Sequence, residues 1–194
     1  LLELLAREGL QGLNRAHGMW AFGLVDHGAG TLLAARDRYG KKPLFFHLDD
    51  ERLCLASEIA PILRYLERPP RLTDAALDTY LCDGWLFPRA DGSTHLEGIR
   101  QVPAGAAIRF DFGRWCLATE RWFDLDDHVA RTPARAEELP ELLREAVLSR
   151  LVADRKVGLL LSGGVDSSLI LSILYASGRG EQVHCFTGDA GKSD

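Results

Sequence analysis

Between an unbroken apolar run, Val157 to Leu161, and an apolar-patterned helix opening near Val165 stands the heptapeptide Ser162-Gly163-Gly164-Val165-Asp166-Ser167-Ser168. The run reads as a parallel strand buried on both faces. The helix is expected over Val165 to Ser177, packed through Leu169, Ile170, Ile173 and Leu174 and stopped by Gly178. Gln182 to Thr187 reads as a further strand. Strand, turn, helix and strand in that order make a βαβ unit, so an α/β domain begins here.

The turn's composition gives it a chemistry. The first N–H groups of a helix have no internal partner, and the helix dipole favours an anion beside them. Gly163 and Gly164 let the backbone curl round such an anion, and Ser162, Ser167 and Ser168 add hydroxyl donors. Asp166 runs against this, because a carboxylate repels a bare phosphate. A divalent cation bridging the two, as Mg2+ does, removes the conflict. The bland alternative, a small-residue turn that only caps a helix, accounts poorly for two glycines, an aspartate and three serines in seven residues at a strand's C-terminal end. Gly191-Lys192-Ser193 is a decoy. A phosphate-binding P-loop needs a glycine five residues before Gly191, and Phe186 stands there.

The first 120 or so residues have a different pattern. Leu1, Leu2, Leu4 and Leu5 suit a helix stopped by Gly9. Met19 to Val25 and Thr31 to Ala35 read as one hairpin, and Pro43 to Leu48 with Leu53 to Ala56 as a second. Ser57 is expected to cap a short helix to about Leu66 that Pro69-Pro70 ends. Thr73 or Asp74 caps another, closed by Gly84, and Trp85 to Gly98 reads as loop. Strands follow at Ala106 to Phe110 and Trp115 to Trp122. Past a connecting stretch, Leu139, Leu142, Leu143, Ala146, Val147 and Leu151 form one apolar stripe on a helix that Pro140 helps to start. The chain is thus α+β followed by α/β, with boundaries expected at 1–125, a linker over 126–136, and 137–194.

Composition excludes several classes. An apolar fraction of 46% and a charged fraction of 26% without low-complexity tracts describe an ordered globular chain. A net charge of −5 with scattered basic residues argues against nucleic acid as the main partner. No apolar run approaches the roughly 20 residues a membrane-spanning helix needs. Cys54, Cys82, Cys116 and Cys185 form no Cys-x-x-Cys pair and read as reduced thiols buried in strands or helices, as in a cytoplasmic protein. The histidines show no metal-ligand spacing.

Ser162-Gly163-Gly164-Val165-Asp166-Ser167 resembles the pyrophosphate loop of the ATP pyrophosphatase superfamily, which splits ATP between its α and β phosphates to form an adenylate. The residues before it point to one branch. Arg36-Asp37-Arg38-Tyr39-Gly40-Lys41-Lys42-Pro43-Leu44, Ala56-Ser57-Glu58-Ile59 and Gly98-Ile99-Arg100-Gln101-Val102-Pro103-Ala104-Gly105 resemble the second half of an asparagine synthetase glutaminase domain. His17-Gly18-Met19-Trp20-Ala21-Phe22 resembles that family's Gly-Met-Phe-Ala-Phe strand, and Arg150-Leu151-Val152-Ala153-Asp154 the helix end before its pyrophosphate loop.

The resemblance implies part of an N-terminal-nucleophile-type glutaminase sandwich, then the start of a Rossmann-like, adenine nucleotide alpha hydrolase-like synthetase domain. It implies ATP and Mg2+ as cofactors, with Ser162, Gly163, Gly164, Asp166 and Ser167 on pyrophosphate, Asp166 reaching the metal indirectly, Leu160 beside adenosine, and Thr187 and Gly188 on the nucleotide again. The expected reaction is asparagine synthesis from aspartate, with glutamine-derived ammonia and a β-aspartyl-AMP intermediate. The intact enzyme is expected to be cytoplasmic, to take small molecules only, without nucleic acid or membrane, and to admit a homodimer. The family's nucleophilic cysteine is N-terminal, and none of the four cysteines here is, so no glutaminase catalytic residue is assigned. Only one methionine, Met19, is present and it falls in an expected strand, so the chain reads as an inactive piece of the enzyme. It is expected to associate or pack loosely when expressed alone. Arg36 and Asp37 read as an ion pair or a cap that fixes a turn. The rivals are a paralogue amidating or cyclising another carboxylate, and a non-catalytic nucleotide-binding module.

Overall fold

A computed structural model describes residues 1–66, 70–84, 91–129 and 135–188. Pro69, residues 85–90 of the expected loop, 130–134 of the linker and the Gly191-Lys192-Ser193 segment lie outside the described residues. The chain divides into two compact units, Leu1–Val129 and Ala130–Asp194.

The first unit opens with helix α1 (Leu2–Glu8), and Gly9 ends it by returning its N–H to the Leu5 carbonyl. A 3₁₀ segment, Gly9–Arg15, continues the chain. The apolar pattern of Leu1 to Leu5 does not announce it. Strands β1 (Ala21–Asp26) and β2 (Thr31–Arg36) form the first hairpin, paired Ala21 to Arg36 through Asp26 to Thr31. Met19 therefore precedes the strand and is 57% exposed. Strands β3 (Phe45–Leu48) and β4 (Leu53–Ala56) form the second. Helix α2 (Ile59–Tyr65) starts one residue later than expected, with Glu58 and not Ser57 at its cap position. In α3 (Asp74–Asp83) the Thr73 side chain accepts the Ala76 N–H and Gly84 closes the helix. Strands β5 (Ile99–Gln101), β6 (Ala106–Asp111) and β7 (Cys116–Arg121) complete the unit.

Two antiparallel sheets result, ordered β1-β2-β6-β7 and β4-β3-β5. Side-chain alternation in β2 and β6 assigns each residue to a layer. Leu32, Ala34, Ile108 and Phe110 face the second sheet and pack with Leu44, Phe46 and Val102. Ala35 and Ala107 point the other way, with Leu33 beside them, and are covered by Leu5, Leu10 and Leu13 together with Trp20, Trp122 and Phe123. Both faces of the larger sheet are thereby covered along β2, which accounts for its nearly continuous apolar sequence. The unit is α+β, as expected.

The three hairpin turns share one device. Asp26, Asp49 and Asp111 each close their turn by accepting two backbone N–H groups on Oδ1: Gly28 and Ala29, Glu51 and Arg52, Gly113 and Arg114. Such local side-chain bonds compete well with strand extension and end it.

In the second unit, α4 (Leu139–Leu148) starts with Pro140 in its first turn, and β8 (Val157–Leu160), α5 (Val165–Ala176) and β9 (Val183–Phe186) follow. The two strands pair in parallel, Val157 with Val183 through Leu160 with Phe186. That is the expected βαβ connection. Expected burial is corrected in three places. On α5, Leu174 is buried and Ile173 half-buried, but Leu169 and Ile170 are exposed. β8 alternates half-buried and exposed residues, since a two-stranded sheet carries a helix on one face only. The α4 stripe contains no buried residue.

Candidate functional site

The register of β8 and β9 sets the site's geometry. Because the strands run parallel and the Leu161 N–H donates to the Phe186 carbonyl at 2.7 Å, both chains leave the sheet at the same edge. Ser162 to Gly164 and Thr187 to Gly188 thus emerge side by side at the C-terminal edge, where open α/β sheets hold their ligands. All of the expected nucleotide residues in this unit fall at that edge. Leu160 is 80% exposed at the end of β8.

The turn has the conformation its glycines permit. Gly163 has φ +78, a region costly for a residue with a side chain, and a Cβ there would meet nothing within 4 Å. Gly164 is the N-cap residue of α5 and supplies no side-chain cap. Its carbonyl accepts the Ser168 N–H at 3.1 Å, the first helical bond. Ser162 Oγ accepts the Gly164 N–H at 3.3 Å and lies 3.2 Å from Ser167 Oγ, which donates to the Gly164 carbonyl at 3.2 Å. Asp166, in the first turn of α5, has no hydrogen bond or ion pair among the described residues, and its side chain is solvent-exposed.

Charge placement narrows what this edge can hold. Leu160 to Ser168 contains no lysine or arginine, and Arg155 and Lys156 precede β8, at its opposite end. An anion at this edge would meet only helical N–H groups and serine hydroxyls, and a cation at Asp166 would offset that residue's charge. A single exposed carboxylate fits Mg2+ brought in by a phosphate ligand: Asp166 would hold it, and the ion would supply charge neutralisation. Among the described residues no group of three His, Cys, Asp or Glu side chains forms a cage that would hold a metal without phosphate.

The first unit's Arg36-Asp37 motif is structural. Asp37 is 2% exposed, and its carboxylate accepts the N–H groups of Trp20, Tyr39, Lys41 and Lys42 at 3.3, 3.2, 3.0 and 2.9 Å. Arg36 donates to the carbonyls of Lys42, Val102 and Gly40. Burial pushes its guanidinium below the ordinary arginine range, with neighbouring Asp37 offsetting part of that. Each side chain serves backbone groups, so the cap is what the turn uses. Arg38, a residue whose role the sequence left unmarked, donates to the carbonyls of Asn14 and Ala16 and lies 5.5 Å from the Phe123 ring. The cysteines are corrected. Cys82, Cys116 and Cys185 are exposed, because each lies on an outward face of its helix or strand. Cys54 alone is half-buried, and desolvation raises its thiol above the ordinary range. No helix among the described residues is long and apolar enough to cross a membrane.

Comparison with known proteins agrees with this division. Residues 1–123 match the family of glutamine amidotransferase domains, and residues 138–194 match the asparagine synthase family. Asparagine synthetase (glutamine-hydrolysing) 3 of Bacillus subtilis is 29% identical over 194 residues, covering 94% of this chain and 30% of that protein. Asparagine synthetase (glutamine-hydrolysing) 2 of the same organism is 25% identical, covering 96% of this chain and 26% of its own length. Amidase chry2 of Gibberella zeae is 31% identical over 185 residues, covering 90% of this chain and 26% of that protein. The chain thus spans between 26% and 30% of the length of these curated relatives.

Proposed function

The chain belongs to the glutamine-hydrolysing asparagine synthetase family, and from that premise we propose that it forms part of an enzyme that amidates a carboxylate with ammonia taken from glutamine. Residues 1–125 belong in this reading to the glutaminase domain, 126–136 to a linker and 137–194 to the start of a Rossmann-like synthetase domain. The observation that carries the synthetase part is the Ser162 to Ser168 turn, open at the C-terminal edge of a parallel pair and heading α5 with free N–H groups.

The chemistry follows from leaving groups. A carboxylate oxygen leaves poorly, whereas AMP leaves well, so activation of aspartate as β-aspartyl-AMP precedes attack by ammonia. This chain's residues act on the other product, pyrophosphate. The first N–H groups of α5, with Ser162 and Ser167, hold its oxygens, and Gly163 and Gly164 keep side chains out of their way. Asp166, exposed in the first turn of α5, would hold the divalent ion together with the phosphates. Mg2+, when bound with the phosphates, would supply charge neutralisation for the departing oxygens. Leu160 offers apolar surface to adenosine, and Thr187 and Gly188 contact the nucleotide from β9. The enzyme works in the cytoplasm on ATP, aspartate and glutamine.

A second reading differs in the acceptor. A relative 31% identical to the chain is named an amidase and not an asparagine synthetase, so a paralogue that amidates or cyclises another carboxylate is kept as the second reading. One experiment separates the two: ATP–pyrophosphate exchange by the full-length protein, started with aspartate or with a panel of other carboxylates. Aspartate-specific exchange with asparagine as product is expected. Exchange driven by another acid and not by aspartate would select the second reading, and no exchange with any acid would remove both.

A further inference from the structure

The layer outside the larger sheet holds polar atoms that the rest of that layer leaves unpartnered. Asn14 Oδ1, Trp20 Nε1 and Trp122 Nε1 are all shielded from solvent and have no hydrogen-bond partner among the described residues. Each such atom costs about 1–3 kcal/mol when it stays unpaired, so three in one layer call for a common partner. The three residues adjoin, Asn14 through the Trp122 backbone and Trp122 through its ring. Asn14 Nδ2 lies 3.5 Å from the Trp122 carbonyl, and the Trp122 ring stacks on Trp20 with centroids 5.4 Å apart and planes 19° off parallel. Below them the sheet supplies Ala35 and Ala107, both buried, with Leu33 and Phe22 beside them.

We propose that one internal water molecule is bound here, accepting from both indole N–H groups and donating to Asn14 Oδ1. The chemistry selects this occupant. Two donors and one acceptor match a water's two lone pairs and one of its hydrogens, and about three hydrogen bonds is the usual complement of a buried water. Ammonia, with a single lone pair, would leave one indole unpaired. The water ties the Gly9–Arg15 segment, which carries Asn14, to β1 through Trp20 and to the end of β7 through Trp122.

A crystal structure of the full-length protein with ordered solvent visible tests this directly. One solvent peak within about 2.7–3.2 Å of all three atoms is expected. A peak reaching a single one of them, no peak at all, or a direct bond from Asn14 to an indole would overturn the proposal. In solution, with tryptophan side chains labelled with nitrogen-15, both indole protons should show cross-peaks to a long-lived water. Asn14→Leu should abolish both while the remaining tryptophan signals stay dispersed. Persistence of both in a folded Asn14→Leu variant would equally sink it, and if that variant unfolds, the crystal structure decides.

Discussion

Asp37 shows what a single carboxylate does once it is buried. Four N–H groups converge on it at 2.9 to 3.3 Å. Asp37→Ala should therefore cost about 3 kcal/mol or more in urea denaturation, since bonds to charged acceptors and newly orphaned donors add. Asp26 is the control. It also accepts two N–H groups, but it is exposed, so Asp26→Ala should cost only about 0.5–1 kcal/mol. Asp49 permits a test by pH. The Glu51 N–H bond, helped by His47 and Arg52, holds its carboxyl below the ordinary range. A depressed carboxyl stabilises the fold above its unfolded value, near pH 4, and that contribution is lost as pH falls through the lower folded value. The stability gap between wild type and Asp49→Asn should accordingly be open at about pH 6 and close towards about pH 2. Sequence patterns exposed Asp37 as a turn residue, but its four donors come from positions as distant as Trp20, a convergence that only the fold produces.

At the scale of elements, strands and helices with regular periods were legible and irregular ones were not. The hairpins β1–β2 and β3–β4 follow from alternation plus an aspartate at each turn. β5 was hidden, because three residues, Ile99–Gln101, are too few for a period to show and pairing with β3 alone defines them. The 3₁₀ segment was hidden because tertiary packing of Leu10 and Leu13 holds it, not local preference. Burial was misjudged in β8, where an unbroken apolar run implies two covered faces and the structure provides one. The place of the Ser162 to Ser168 turn between strand and helix was legible, since its glycines and its flanking patterns are local properties. Gly105 marks where elements meet most tightly. It has φ +64, its carbonyl accepts the Trp122 and Phe123 N–H groups, and a Cβ there would lie 2.6 Å from the Phe123 carbonyl oxygen. Gly105→Ala should lower stability by at least about 2 kcal/mol, and a thermal midpoint equal to wild type would show that β6 and β7 can part there without cost.

For the whole molecule, the two units differ in how much core they possess. The first buries Phe110, Leu13, Ile62, Ile99, Ile108 and Val102 almost completely, whereas Leu174 is the one buried hydrophobic among the described residues of the second. Val152, Leu160 and Val165 are more than three-quarters exposed there. Amide hydrogen exchange of this 194-residue chain should be slowest in β6, flanked on both sides by strands, and fast throughout β8 and β9. Protection of β8 equal to that of β6 would mean that the second unit closes a core of its own. Exposed apolar surface of that extent also favours association of the chain expressed alone, which size-exclusion chromatography reads. Mg2+-dependent ATP–pyrophosphate exchange by the full-length protein tests whether the Ser162 to Ser168 edge holds pyrophosphate, with Asp166 acting through a phosphate-bound Mg2+. Asp166→Asn should abolish most of that exchange while Lys192→Ala leaves it near the wild-type rate, and equal losses in the two variants would contradict the account.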